Sequence, residues 1–144
     1  MIDRATGRIL FEGDVALTLD PTLTKSAFLK AMAPLKLEGR VVTATFTVYS
    51  IVGRLAGRTW NLSPGFDGEV LRSVGMGYAP SGGPSDDWEN EERAKAGEYE
   101  DLIRLWLGKL DHTFPWGRVT ASFDEKGGGG AMCVYYRAAN RAAT

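Results

Sequence analysis

One stretch decides the fold: it runs from Glu98 to Tyr136 and reads EYEDLIRLWLGKLDHTFPWGRVTASFDEKGGGGAMCVYY. Its first part repeats apolar residues at the 3.6-residue period of a helix, at Tyr99, Leu102, Ile103, Trp106, Leu107 and Leu110. A Phe-Pro-Trp-Gly break follows at 114–117. Two segments on either side of a glycine-rich turn, 119–123 and 132–136, then alternate apolar residues with others. The pattern predicts a helix packed on a β-hairpin.

The N-terminal part predicts a hairpin and a short helix. Strands at 8–11 and 15–19 are expected to flank the polar Glu12-Gly13-Asp14 turn. Thr24 is expected to cap the helix, because a threonine hydroxyl can accept from a free amide of the first turn. The inner face of that helix is predicted to contain Phe28, Ala31 and Met32.

The central part predicts three strands. The clearest alternation runs from Val41 to Ser50, and the face expected to be buried contains Val42, Ala44, Phe46 and Val48. Weaker strands are expected at 55–62 and 69–78, separated by a loop at 63–68. Glycines at 75 and 77 indicate a bulge or a close backbone approach.

These elements define the fold class. Ser85 or Asp86 is expected to cap a long helix near residues 86–109. The order is then ββ-α-βββ-α-ββ, which predicts an α+β protein with an antiparallel sheet of about six or seven strands and the long helix packed on one face. The 144 residues are expected to form a single domain, 1–144, because the loop at 79–85 is too short to divide it.

Composition narrows the class of function. The chain is 44% hydrophobic and 24% charged, as in ordinary globular proteins. Seventeen basic and 18 acidic side chains give a net charge of −1, so the basic footprint of a nucleic-acid-binding protein is missing. No signal peptide or membrane span is evident in the sequence. We therefore expect a cytoplasmic protein that binds neither nucleic acid nor membrane.

The residues available for chemistry are few. His112 and Cys133 are the only histidine and the only cysteine, too few for the usual zinc sites. Lys126 precedes the glycines and a strand follows them, whereas a phosphate-binding loop leads into a helix. We expect no enzymatic activity, cofactor or metal. Two alternatives stay open: an enzyme built on carboxylates, and a small-ligand-binding α+β module with a pocket between the long helix and the sheet.

The sequence contains more residues suited to binding a protein partner than residues suited to chemistry. An acidic run with a tryptophan inside it precedes and opens the long helix, and such a surface suits a basic partner. Of the four tryptophans, Trp106 is expected in the core and Trp116 between helix and hairpin, while Trp60 and Trp88 are expected to be exposed. The predicted partner-binding residues are Asp86, Asp87, Trp88, Glu89, Glu91, Glu92 and Trp60.

Both ends of the chain resemble a known group of proteins. The N-terminal pattern is Phe11-x-Gly13, Leu19-x-Pro21-x-x-Thr24 and Phe28-Leu29. The C-terminal pattern is Glu98-Tyr99-Glu100, Trp106-Leu107 and Pro115-Trp116-Gly117-x-Val119-x-Ala121-x-Phe123-Asp124. These patterns are similar to those of small bacterial proteins that resemble immunity proteins of polymorphic or contact-dependent toxin systems. The resemblance implies a protein that binds and neutralises a cognate toxin in the cytoplasm by surface complementarity, without chemistry of its own.

Overall fold

A computed structural model describes residues 1–13, 18–35, 37, 39–78, 88–108, 113–124 and 129–137, with side chains at all of them except 88–93, 96, 122–124 and 129–131. The described residues form eight strands and two α-helices. The strands are β1 (Arg40–Val41), β2 (Phe46–Val48), β3 (Ile51–Leu55), β4 (Arg58–Asp67), β5 (Val70–Tyr78), β6 (Thr113–Phe114), β7 (Gly117–Asp124) and β8 (Gly129–Tyr136). The helices are α1 (Lys25–Met32) and α2 (Trp88–Leu107), and a short 3-10 turn, Ala33–Leu35, follows α1.

The strands form one antiparallel sheet in the order β1-β2-β4-β5-β8-β7-β6, and β3 pairs with β4 beside β2. The ten-residue strand β4 pairs with β3 along its first half and with β2 along its second half. Pro64 lies in β4 opposite the break between them. Its carbonyl accepts from the Tyr49 amide at 3.0 Å. The nitrogen of Pro64 faces the same side of the strand, toward the break between β3 and β2. Because neither of these two strands pairs with β4 at this point, the missing N–H of proline costs no hydrogen bond of the sheet.

The antiparallel order gathers the connections at two ends of the sheet. The upper end contains the turn at 56–57, the end of β5 at Tyr78 and the start of β8. The lower end contains the turn at 68–69, the start of β7 and the end of β8. Because α2 follows β5 and precedes β6, it runs from the upper end to the lower end.

The apolar stripe of α2 forms the centre of the core, as predicted. Tyr99, Ile103 and Leu107 are buried, and Leu102 and Trp106 pack against the core while partly exposed. Leu110 lies outside the described residues. The hairpin beneath is also confirmed, because β7 and β8 pair along their whole length and bury the side chains Val119, Met132, Val134 and Tyr136.

The helix α1 lies on the same face of the sheet as α2. The Ala27 amide donates to the Thr24 hydroxyl at 3.1 Å, which confirms the predicted cap. The Phe28 ring packs on Phe66 of β4 with centroids 5.2 Å apart. Since Phe66 shares its face of β4 with Trp60, which contacts Tyr99 of α2, both helices cover one face. The predicted α+β class with an antiparallel sheet is therefore confirmed, and no described helix covers the other face.

The strand predicted from Val41 to Ser50 is wrong in its first half, and its second half buries the opposite face. Tyr49 packs on Phe28 and Phe66. Phe46 and Val48, expected in the core, are only half-buried.

In the first half, the chain turns back at 42–45, so β1 pairs with β2. The Thr43 hydroxyl accepts from the Phe46 amide at 3.2 Å, a local bond that competes with an extended conformation. Val42, expected in the core, is 55% exposed, and Ala44 is exposed as well.

The strand expected at 55–62 instead contains a tight hairpin turn. Ala56 and Gly57 have φ of 52° and 75°, the conformation of a turn whose twist matches the strands that it joins. The chain at 63–67, predicted as a loop, continues β4, and the next turn lies at 68–69. The irregularity expected at Gly75 and Gly77 lies instead at Arg72, the extra residue between the Gly65–Ser73 and Phe66–Leu71 pairs.

The N-terminal segment forms isolated bridges rather than strands, two of them within itself and one, at Glu12, to the sheet. Ile9 bridges to Ile2 and to Leu19, and all three side chains are fully buried. Glu12 exchanges two backbone hydrogen bonds with Arg54, which covers the free edge of β3. Residues 14–17, which include most of the second strand of the predicted first hairpin, lie outside the described residues.

Candidate partner-binding surface

Three aromatic rings meet where α2 crosses the upper end of the sheet. The rings of Trp60 and Tyr78 have centroids 4.6 Å apart, and Tyr99 lies 4.8 Å from Tyr78 and 5.5 Å from Trp60. The Trp60 indole donates to the Leu55 carbonyl at 2.8 Å. The Tyr78 backbone N–H donates to the Tyr99 hydroxyl oxygen at 2.9 Å. The cluster therefore positions α2 relative to the sheet.

The expectation that Trp60 is exposed is wrong, because its side chain is 0% exposed. The alternation of β4 places Trp60 on the helix-covered face with Leu62, and its one polar atom is satisfied inside the protein. Trp60 therefore supports the surface at the upper end from below and cannot contact a partner there.

An ion pair covers this cluster at its solvent side. The Arg58 guanidinium carbon lies 3.8 Å from the centroid of the Tyr78 ring, and its Nη1 lies 3.6 Å from Glu98 Oε2. Both charged side chains are about half exposed, at 49% and 50%. Burial, together with a hydrogen bond and the charge of Glu98, raises the pKa of Tyr78 to about 12. The Tyr78 hydroxyl is therefore uncharged at neutral pH.

Residues 86–101, here called the acidic segment, concentrate the negative charge of the chain. They contain eight of its 18 acidic and two of its 17 basic side chains, a net charge of −6. The rest of the chain carries +5, so the near-zero total hides a strong separation of charge. In its described part, Glu98 and Asp101 are exposed and Glu100 is half-buried.

The predicted partner-binding residues other than Trp60 all belong to the acidic segment. The structure places the backbone of four of them in the first turns of α2, beyond the upper end of the sheet: Trp88, Glu89, Glu91 and Glu92. Asp86 and Asp87 lie outside the described residues. The structure thus provides a continuous helix from Trp88 to Glu98, where the Arg58 pair begins.

Sequence reasoning missed Arg58, Tyr78 and Glu98 at this surface. They come from β4, β5 and α2 and share no motif, so only the fold brings them together. The sequence does contain a local signal for Arg58. Ala56-Gly57 is a two-residue hairpin turn, and recognising it would have placed Arg58 at the start of a strand at the end of the sheet.

Trp116 packs at the lower end of the sheet and also contacts the N-terminal segment. Its indole donates to the Arg4 carbonyl at 2.8 Å, and its ring stacks on Phe114 with centroids 4.9 Å apart. The N-terminal turn lies on the other side, since a side chain at Gly7 would collide with the indole. The Trp116 ring also lies 6.0 Å from the ring of Tyr136 in the hairpin. Trp116 therefore contacts the hairpin, as predicted, and fastens the N-terminus at the lower end of the sheet.

The residues considered for chemistry show no catalytic arrangement in the described part of the chain. Cys133 is half-buried on the open face of the sheet, and burial raises the pKa of its thiol. His112 lies outside the described residues. Among the described residues, no group of three or more metal-ligating side chains comes together.

The cavities among the described residues include four of about 220–380 Å³. Three adjoin Phe11 or Gly13 along the edge of β3, and the fourth lies on the open face at the lower end. None of the four lies between α2 and the sheet, where the ligand-binding alternative expects its pocket. Among the described residues, no helix combines the length and the apolarity needed to cross a membrane.

Comparison with known proteins finds a relative in fold. No protein-family model and no curated protein matches the chain. Among solved structures, it matches a chain of Rhs1-CT in complex with its cognate immunity protein RhsI1, at a TM-score of 0.54 and 15% identity, over 96% of this chain and 88% of the other. The fold is shared with one chain of that toxin–immunity complex. At this identity the likeness is one of fold, and at that level it supports the resemblance to toxin-immunity proteins.

Proposed function

We propose that this protein is an immunity protein that binds and neutralises a cognate bacterial toxin in the cytoplasm. One observation carries the proposal: nearly the whole chain shares its fold with a component of a toxin–immunity complex. The sequence patterns at both ends, which resemble those of immunity proteins, support it independently. Neutralisation is by occlusion of the toxin, and no enzymatic step is involved.

The proposed contact surface is the acidic segment together with the Arg58–Tyr78–Glu98 cluster at its base. It uses Asp86, Asp87, Trp88, Glu89, Glu91 and Glu92, and excludes Trp60. Half-exposed arginine and tyrosine side chains are typical of residues that dominate binding energy. The rings beneath hold them in place, so little conformational entropy is lost on binding.

The charge separation indicates the chemistry of the partner. A net charge of −6 within 16 residues attracts a basic surface and accelerates its association, most strongly at low salt. The remainder of the chain, at +5, repels the same surface and so favours one orientation of approach. We therefore propose a toxin whose contact surface is basic.

Co-expression with the neighbouring gene tests the proposal. If that gene encodes a toxin, its expression alone should stop growth, and co-expression of this protein should restore growth and allow the two to be purified together. Purified protein added to the toxin should neutralise it at a molar ratio near one. Neutralisation by far less than one equivalent would instead indicate an enzyme, and failure to relieve the toxicity of any neighbouring product would contradict the immunity function.

A further inference from the structure

Two arginines share the open face of the sheet at its lower end. Arg118 of β7 lies opposite Tyr135 of β8 and opposite Thr113 of β6. Because Tyr136 is buried on the helix-covered side, alternation turns Tyr135 and its cross-strand neighbours the other way. Arg137 follows Tyr135 by two residues and faces the same way, and its backbone N–H donates to the Trp116 carbonyl at 2.7 Å. The side chains of these four residues, Thr113, Arg118, Tyr135 and Arg137, are all exposed.

Their arrangement is held by the backbone and by one ring. The Arg118 guanidinium carbon lies 4.7 Å from the centroid of the Tyr135 ring. This cation–π contact favours a position of the guanidinium group above the sheet. Gly117 has φ of 152°, and a side chain there would collide with the Tyr135 backbone, so β7 and β8 approach closely at this point. Together these residues line a cavity of about 220 Å³.

The charge at this cavity is uncompensated within the described part of the chain. No described carboxylate forms an ion pair with Arg118 or Arg137. Each guanidinium presents a planar set of N–H donors that matches two oxygens of a phosphate or carboxylate. Thr113 and Tyr135, which also carry hydrogen-bonding hydroxyl groups, line the same cavity.

We propose that this cavity, here called the arginine site, binds the phosphate or carboxylate group of a small ligand. Two neighbouring cations repel each other, and an oxyanion between them removes that repulsion while accepting from both. The arginine site lies at the lower end on the open face, whereas the acidic segment begins at the upper end on the helix-covered face. It is therefore independent of the proposed toxin contact and goes beyond that function.

Titration of the full chain with inorganic phosphate tests the site. The arginine Nε–H signals are followed by NMR at constant ionic strength, with chloride as the control anion and succinate as a second probe. We expect saturable shifts at Arg118 and Arg137 and none at the exposed Arg40 of β1. Saturation by phosphate alone identifies a phosphate ligand, and saturation by succinate alone identifies a carboxylate ligand. Shifts that chloride reproduces, or that do not saturate with either probe, overturn the proposal.

Variants separate the site from general charge effects. Arg118→Gln and Arg137→Gln should each weaken binding by about tenfold or more, whereas Arg40→Gln should leave it unchanged. Arg118→Lys keeps the charge but loses the planar pair of donors, so it should weaken binding by an intermediate factor. Since these side chains are exposed, the thermal midpoint should be retained in every variant. Unchanged binding in an Arg118→Gln, Arg137→Gln double variant would also overturn the proposal.

Discussion

The backbone N–H of Tyr78 donates a 2.9 Å hydrogen bond to the hydroxyl oxygen of Tyr99. This bond joins the last residue of β5 to the middle of α2, across a connection of nine residues between the two elements. The two rings also contact each other at 4.8 Å. The position of the acidic segment above the sheet therefore depends on a hydroxyl group that the apolar periodicity of the helix does not reveal.

Tyr99→Phe tests this bond. The ring contacts are retained, but the partly buried Tyr78 amide loses its acceptor, which should cost about 1–3 kcal/mol of unfolding free energy. Tyr135→Phe is the matched control, because that hydroxyl belongs to an exposed residue of the open face, and it should change stability by less than about 0.5 kcal/mol. Urea unfolding measures both. Equal stability of the two variants would show that the hydrogen bond contributes nothing.

Gly7 gives a second prediction at the opposite end of the sheet. Its φ of 74° and a position for a side chain 2.4 Å from the Trp116 ring both require glycine. Gly7→Ala should therefore combine backbone strain of about 1–2 kcal/mol with steric overlap of about 1–3 kcal/mol. Gly68→Ala, at φ of 58° with open space around it, isolates the strain alone. Similar losses for the two variants in urea unfolding would contradict the close packing of Trp116 on Gly7.

The helical and strand periodicities of the sequence predicted the core well, because the buried residues of this fold follow them. Tyr99, Ile103 and Leu107 are buried where the 3.6-residue stripe places them, and Met132 and Val134 where the period of two does. The cap at Thr24 was also predictable, since it depends on one hydroxyl and on the amide three residues later. These are local properties, and the fold did not override them.

Two errors come from turns with no proline and little glycine, at 42–45 and 56–57, and a third comes from Pro64 and Gly65, which indicated a loop but lie in β4. The Val41–Ser50 segment alternates as a strand should, yet the Thr43 hydroxyl supports a turn that periodicity cannot detect. The expectation for Trp60 failed because the alternation of β4 places its side chain on the face covered by α2, and only the tertiary fold shows which face that is. Of the proposed contact surface, the acidic segment was visible in the sequence, whereas the Arg58–Glu98 pair required the tertiary fold.

Glu69 provides a prediction about pH. Its carboxylate accepts from the Ser26 hydroxyl at 2.7 Å and from the Ser26 amide at 2.8 Å, which fastens the first turn of α1 to the β4–β5 turn. These hydrogen bonds lower the pKa of Glu69. A lowered folded-state pKa stabilises the protein above the unfolded pKa of about 4.3, and that contribution is lost as pH falls through the folded-state pKa.

Glu69→Gln should therefore lower the thermal midpoint at pH 7 and approach the parent protein in strongly acidic buffer. Asp67→Asn removes an exposed carboxylate two residues away and serves as the control, with little effect at either pH. Thermal unfolding followed by circular dichroism between pH 2.5 and 7 measures the difference. A gap between Glu69→Gln and parent that is as large at low pH as at neutral pH would contradict the assigned role.

Cys133 and His112 are predicted to take no part in chemistry. Burial raises the pKa of the Cys133 thiol, so the thiolate that reacts with alkylating agents is scarce at neutral pH. Iodoacetamide should modify the folded protein at least about tenfold more slowly than the urea-unfolded chain. His112→Gln and Cys133→Ala should each retain full protection against the toxin. Loss of protection in a variant with an unchanged thermal midpoint would restore the enzyme alternative.

The acidic segment gives the last prediction, which concerns the rate of toxin capture. Asp87, Glu91 and Glu92, each changed to lysine in one variant, should slow association about tenfold or more at low salt and weaken its salt dependence, because charges at an interface rim act mainly on the on-rate. Trp88→Ala should instead raise the off-rate, at a cost of about 2 kcal/mol.

A single-charge comparison controls for net charge. Glu91→Lys lies in the acidic segment, whereas Asp67→Lys makes the same change at the lower end of the sheet and should leave association unchanged. Surface plasmon resonance at several salt concentrations separates the two rates, and thermal unfolding shows that each variant is folded. If Glu91→Lys and Asp67→Lys slow association equally, the effect comes from net charge. If the triple variant and Trp88→Ala both bind as the parent does, the contact surface lies elsewhere, and the uncovered face of the sheet becomes the alternative.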